Sequence, residues 1–271
     1  MAFVVEPLRQ DKKLHEIIQE TGAKRVLLFF WHGLGDLIMF MRPFEKLKEL
    51  HSDVHFDLGI VRGIGQEEIC NGAIGFTTDA DLDKEPYDIV AKIHFPMSEG
   101  QEELTKGEFC CVHELGIVPA NGHTIQDCPT PNRICAVHFN ITCLPASCNP
   151  DEATAQEIWN EVLAAGWIPL ESHFTHTFHN PVNKRFDFVD CTVRRVTPRV
   201  STLAGLLAHS GAFLGVVSGN FHTALSVLPI NRIALLEKDF TAPMFTKQAI
   251  ERISIKPYES GRVKKWLTGL S

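Results

Sequence analysis

The chain of 271 residues has no long hydrophobic run. Its apolar stretches are strand-sized, well short of the ~20 residues a membrane-spanning helix needs. Concentrated positive charge is also missing: the net charge is −7, and Arg194 and Arg195 with Arg199 are too few and too local to form a basic patch. Nucleic-acid binding driven by phosphate neutralisation is therefore not expected. The opening MAFVVEPLRQDKK lacks the basic start, apolar core and small-residue cleavage site of a signal peptide, so a cytoplasmic location is expected. The eight cysteines contain no C-x-x-C pair, and in a reducing compartment they read as free thiols. No fixed-period repeat or low-complexity tract is present.

What remains is an ordinary soluble composition, 44% apolar and 22% charged, in a length that suits two small domains or one large one. Leu14, Ile17 and Ile18 stand at helical spacing over residues 11–21, and Gly22 closes that helix. Strands are expected at 25–31, 53–60 and 87–93, with a helix over 36–50 that Pro43 should kink or delay, and shorter helices at 64–72 and 107–115. Residues 116–132 are rich in Pro, Gly, Asn and Thr and read as a linker. The pattern then restarts. Strands are expected at 133–139, 167–170, 213–217 and 232–236, with helices at 152–165 (capped by Asp151), 202–209, up to about 228, and 260–269. Strand–helix alternation in two halves predicts two Rossmann-like α/β domains with mainly parallel sheets, 1–132 and 133–271, facing a central cleft that would be the ligand site.

The most informative stretch is VLLFFWHGLGDL, residues 26–37. A buried-type strand breaks at Gly33 and Gly35, meets Asp36 and runs into a helix. Glycines there allow a tight turn and a close substrate approach. A carboxylate at that point can take a proton from an attacking hydroxyl, or it can simply cap the helix and meet its dipole. No third glycine follows, so the stretch is not a G-x-G-x-x-G dinucleotide fingerprint.

A second strand–turn–helix joint, VVSGNFH at 216–222, mirrors the first in the other half. Ser218 offers a hydroxyl, the amides of Gly219 and Asn220 open a helix N-terminus suited to a phosphate, and His222 lies one turn on. The alternative is a capping serine and a structural histidine. His138 and Asn140 end the first strand of the second half and are expected on opposite faces, one reaching the cleft and the other buried. His173, His176 and His179 recur in steps of three, which scatter across the faces of a strand and only partly align in a helix, so no metal site is expected there. Cys110 and Cys111 read as buried thiols.

Taken in order, these motifs resemble glycosyltransferase family 9, the ADP-heptose:lipopolysaccharide heptosyltransferase family. The resemblance rests on VLLFFWHGLGDLIMFMRPFEKLKELHSDVHFDL, on YDIVAKIHF at 87–95 and on STLAGLLAHSGAFLGVVSGNFHTALSVL at 201–228. It implies a GT-B fold, with an acceptor bound mainly by the N-terminal domain and a nucleotide sugar by the C-terminal one. Asp36 matches the family's proposed general base, Ser218, Gly219 and His222 match positions near the donor diphosphate, and Asn220, His138 and Asn140 join that side. Gly33, Gly35 and His94 fall on the acceptor side. The chemistry implied is metal-independent and inverting, with no cofactor beyond the nucleotide-sugar co-substrate. The acceptor would be a glycan, lipid-linked or protein hydroxyl, which leaves a peripheral membrane association open. Two departures stand out: Val217 replaces the family's acid, and no Lys-Trp-Pro-like segment follows the strand at 133–139. Arg62, Lys92 and Arg194 are the candidate basic phosphate ligands. The departures also leave room for a non-catalytic nucleotide-binding protein of the same fold.

Overall fold

The computed structural model describes residues 3–30, 32–60, 74–75, 87–96, 104–119, 132–140, 148–172, 195–196, 200–238, 246–247 and 249–270. The chain divides into two compact units, Met1–His123 with Pro243–Lys247, and Thr124–Ala242 with Gln248–Ser271. Every strand pairing in both sheets is parallel.

The first unit is a five-stranded sheet in the order β1-β5-β2-β3-β4. The strands are β1 (Phe3–Val5), β2 (Arg25–Phe30), β3 (His55–Ile60), β4 (Ile74–Gly75) and β5 (Ile89–Ile93). From Val26 on, β2 is buried throughout, as expected of a parallel strand covered on both faces. α1 (Leu14–Thr21) buries Leu14, Ile17 and Ile18 and ends at Gly22, whose φ of 62° is left-handed. α2 (Leu34–Leu50) starts two residues earlier than expected and runs through Pro43. The expected delay is absent because Gly33 supplies the extended N-cap and the helix packs a run of aromatics against the sheet. Phe40 stacks on Phe30 at 4.8 Å and on Phe44 at 6.1 Å. Burial of each such ring contributes about 1.5–3 kcal/mol, comparable to the ~3 kcal/mol an interior proline costs. α3 (Lys106–Cys110) is opened by a capping box, Thr105 with Glu108, and continues into a π-helical turn, Cys111–Leu115, that ends at Gly116.

The second unit is a six-stranded sheet in the order β11-β10-β9-β6-β7-β8. Its strands are β6 (Ile134–His138), β7 (Ile168–Ser172), β8 (Arg195–Val196), β9 (Ala212–Gly215), β10 (Ile233–Glu237) and β11 (Glu251–Ser254). Its helices are α4 (Glu152–Ala164), α5 (Val200–Ala208), α6 (Gly219–Val227) and α7 (Arg262–Thr268). Asp151 caps α4 by accepting the Thr154 N–H at 2.8 Å, as the sequence predicts. The edge strands β1 and β11 were not legible in the sequence. Both are short, and their pairing partners lie far away in the chain or across a loop.

Candidate functional site

Strand order decides where each sheet can hold a ligand. In the first unit the chain moves from β2 outward to β3 and β4, then returns to place β5 on the other side of β2. In the second it moves from β6 outward to β7 and β8, then returns to place β9 beside β6. Each reversal opens a crevice at the carboxyl ends of the two central strands, the usual binding position in open α/β sheets. The first crevice is bounded by Gly33–Asp36 after β2 and His94–Phe95 after β5. The second is bounded by His138–Asn140 after β6 and Val216–His222 after β9.

At the first crevice, Gly33 is the N-cap of α2, and Gly35 and Asp36 lie in its first turn. Asp36 uses Oδ1 to accept a hydrogen bond from Lys106 Nζ, an ion pair across 70 residues of sequence. The Lys106 side chain is 6% exposed and that of Asp36 22%. In place of a side-chain cap Asp36 makes a half-buried pair, although its position in the first helical turn still meets the dipole. Lys106 Nζ also stands 5.1 Å from the centroid of the Phe95 ring. His94 contributes backbone more than ring: its N–H and that of Phe95 donate to Glu114 Oε1 and Oε2 at 2.6 and 2.9 Å. The His94 ring faces Glu6, Nε2 to Oε2 3.4 Å. Glu114 is fully buried, and burial raises its carboxyl above the usual range against the pull of the two amides. Cys110, beside Glu114, is a buried thiol pushed well up by burial, and Cys111 is buried too, as expected.

At the second crevice, Ser218 is the N-cap of α6 and its Oγ accepts the Phe221 N–H at 3.3 Å. Gly219 and Asn220 open the helix, and the Asn220 amide meets His138 Nδ1 at 3.1 Å. That contact ties the end of β6 to the start of α6 across the crevice. His222 is buried with its ring edge-on to Phe221 at 5.2 Å. His138 and Asn140 are both buried, 5% and 6% exposed. β6 ends at His138, so Asn140 lies beyond the strand and strand alternation does not set the two on opposite faces. Val217 is buried as well. Gly215 lets β9 run tight against β6: a Cβ there would stand 2.8 Å from the His138 carbonyl oxygen. A depression of about 400 Å³ near Glu251, Arg262 and Trp266 lies at the amino ends of β10 and β11, the opposite end of the strands from the crevice.

Lys106, Phe95 and Glu114 were missed by sequence reasoning. The T-x-x-E signature at 105–108 marks the start of α3, yet nothing in the sequence pairs its first residue with Asp36. Lys92 is described, in β5, whereas Arg62, Arg194, His173, His176 and His179 lie outside the described residues. Among the described residues, no group of three or more His, Cys, Asp or Glu is placed to hold a metal ion, and no helix is long and apolar enough to cross a membrane.

The chain matches no family model and no curated protein. Solved structures do match. The chain is similar to the dodecameric iron-containing heptosyltransferase TibC in complex with ADP-D-beta-D-heptose, with a TM-score of 0.60 and 13% identity over 85% of this chain. It is similar to the E. coli heptosyltransferase WaaC with ADP-2-deoxy-2-fluoro heptose, with a TM-score of 0.56, 12% identity, 91% of this chain and 100% of that chain covered. The chain has a heptosyltransferase-like fold. A glycosyl transferase family 9 protein from Veillonella parvula DSM 2008 agrees, with a TM-score of 0.56, 12% identity and 89% of each chain covered. The chain spans only 62% of the TibC chain in the ADP-heptose complex and 64% of the TibC chain from enterotoxigenic E. coli H10407.

Proposed function

We propose that this chain is a metal-independent, inverting glycosyltransferase. It moves a heptose or hexose from a nucleoside-diphosphate donor to a glycan, lipid-linked or protein acceptor hydroxyl. The observation that carries the reading is Asp36, held by Lys106 at the switch point of the first sheet. The reading brings with it the GT-B arrangement, the acceptor on the side of residues 1–132 and the donor on the side of residues 133–271. It also brings a cytoplasmic site of action, peripheral to the membrane where the acceptor is lipid-linked. The N-terminal amides of α6, with Ser218 and His222, would stabilise the leaving diphosphate as preorganised dipoles. The neighbours solved with ADP and with ADP-heptose support a nucleotide-sugar partner.

A second reading is a non-catalytic nucleotide-binding protein, favoured by the buried, apolar Val217 where the family carries an acid.

A melting-temperature screen against ADP, UDP, GDP and CMP, followed by turnover of the matching sugar nucleotide, tests both. A ligand that binds only the native state at 100 times its Kd stabilises by about 2.7 kcal/mol. Asp36→Ala should abolish turnover and keep the nucleotide shift. Binding without turnover in the natural chain would favour the second reading and make Val217→Asp the variant to assay. No shift with any nucleotide would refute the transferase reading.

A further inference from the structure

Three costly features converge on one carboxylate oxygen. The first is Lys106, whose ammonium is buried more deeply than the Asp36 carboxylate it pairs with. Taking such a charge out of water costs several kcal/mol before pairing offsets it. The second is Phe95, a non-glycine residue at φ 44°. A left-handed backbone costs an L-residue about 1–2 kcal/mol, and such strain tends to collect at functional sites. The third is Glu114, a buried carboxylate that accepts two consecutive amides and thereby keeps Phe95 in that conformation. Glu114 lies in the π-helical turn that continues α3, the helix that Lys106 opens, and π-turns are frequent at functional sites. Glu114 therefore fixes Phe95, the Phe95 ring lies under the Lys106 ammonium, and Lys106 holds Asp36 Oδ1.

We propose that Lys106 is a positioning residue for Asp36. It fixes Oδ1 so that Oδ2, which takes no hydrogen bond from a described residue, is the oxygen presented to the acceptor hydroxyl. This role rests on the transferase reading. In the step it serves, the acceptor O–H proton passes to Asp36 Oδ2 and the acceptor oxygen bonds to the anomeric carbon. The bond from that carbon to the diphosphate oxygen breaks, and its electron pair leaves with the diphosphate. A purely structural ion pair would alter stability when broken and leave the turnover of the folded enzyme intact.

The test uses the full chain with ADP-, UDP- and GDP-linked hexoses and heptoses, with water as the acceptor, and reads nucleotide release. Asp36→Asn should abolish release. Lys106→Met should lower kcat about 100-fold, the scale of a 1 Å misplacement, with the donor KM unchanged. Lys106→Arg keeps the charge but not the geometry and should give an intermediate kcat. If Lys106→Met does not fold, Lys106→Arg carries the test alone. Full kcat in a folded Lys106 variant, alongside an inactive Asp36→Asn, overturns the positioning role and spares the transferase reading. Normal release by Asp36→Asn, or none by the natural chain from any of these donors, overturns the reading and this role with it.

Discussion

Gly215 closes β9 at the switch point of the second sheet, and replacing it with alanine should unsettle the crevice from beneath. The added Cβ would stand 2.8 Å from the His138 carbonyl oxygen, 2.8 Å from Phe213 Cζ and 3.1 Å from His138 Cβ. Relaxed contacts lie at about 3.5–4.0 Å, so the facing groups must give way by roughly an ångström. The Phe213 ring can adjust, but the His138 carbonyl accepts the Val216 N–H at 3.0 Å and the His138 ring meets Asn220 at 3.1 Å. Moving that strand end loosens both bonds. Overpacking of this kind costs about 1–3 kcal/mol, while the lost freedom of the unfolded chain returns about 0.4–1 kcal/mol. The net expectation is a loss of about 1–2 kcal/mol, read as a lower urea midpoint at constant m-value by circular dichroism. Gly205→Ala in α5 is the control: nothing lies within 4 Å of its Cβ position. Removing a glycine from a helix should stabilise by about 0.5–1 kcal/mol. A Gly215→Ala protein as stable as the parent, or one that shifts upward like Gly205→Ala, would refute the steric argument.

Burial raises the Glu114 carboxyl, so between the ordinary value of 4.5 and its raised value the native state binds more protons there than the unfolded state. Its contribution to stability is present below that window and is lost as pH rises through it, with a slope of at most about 1.4 kcal/mol per pH unit. Urea midpoints across pH should therefore fall less steeply with rising pH in Glu114→Gln than in the parent, and parallel profiles would contradict the assignment. His222→Ala should weaken nucleoside-diphosphate binding by the value of one hydrogen bond to a charged group, about 1.5–3 kcal/mol. Calorimetric titration checks this, and unchanged affinity in the folded variant removes His222 from the donor site.

Much of the secondary structure was legible because local physics carries it. The amphipathic spacing of Leu14, Ile17 and Ile18, the Asp151 cap and the closing glycines at 22 and 166 all act within a few residues of where they stand. The delayed start that Pro43 allowed does not occur, because the proline acts locally and the aromatic packing that outweighs it does not. Short edge strands were missed because a three- or four-residue strand has too little pattern to read without its partner.

Of the candidate site, the sequence determined by itself the two strand–turn–helix joints, their place after apolar strands, and the presence of Asp36 and Ser218 at helix starts. Backbone geometry at such joints is local and leaves a signature in glycine, serine and aspartate. Only the tertiary structure decided that β5 lies beside β2 and β9 beside β6, so that each joint faces a crevice. It also decided that Asp36 answers to Lys106, that Asn220 meets His138, and that a buried Glu114 bends Phe95 beneath that lysine. The physical reason is separation: these partners stand 70, 82 and 19 residues apart, and a charge or amide carries no mark of the distant group it will meet.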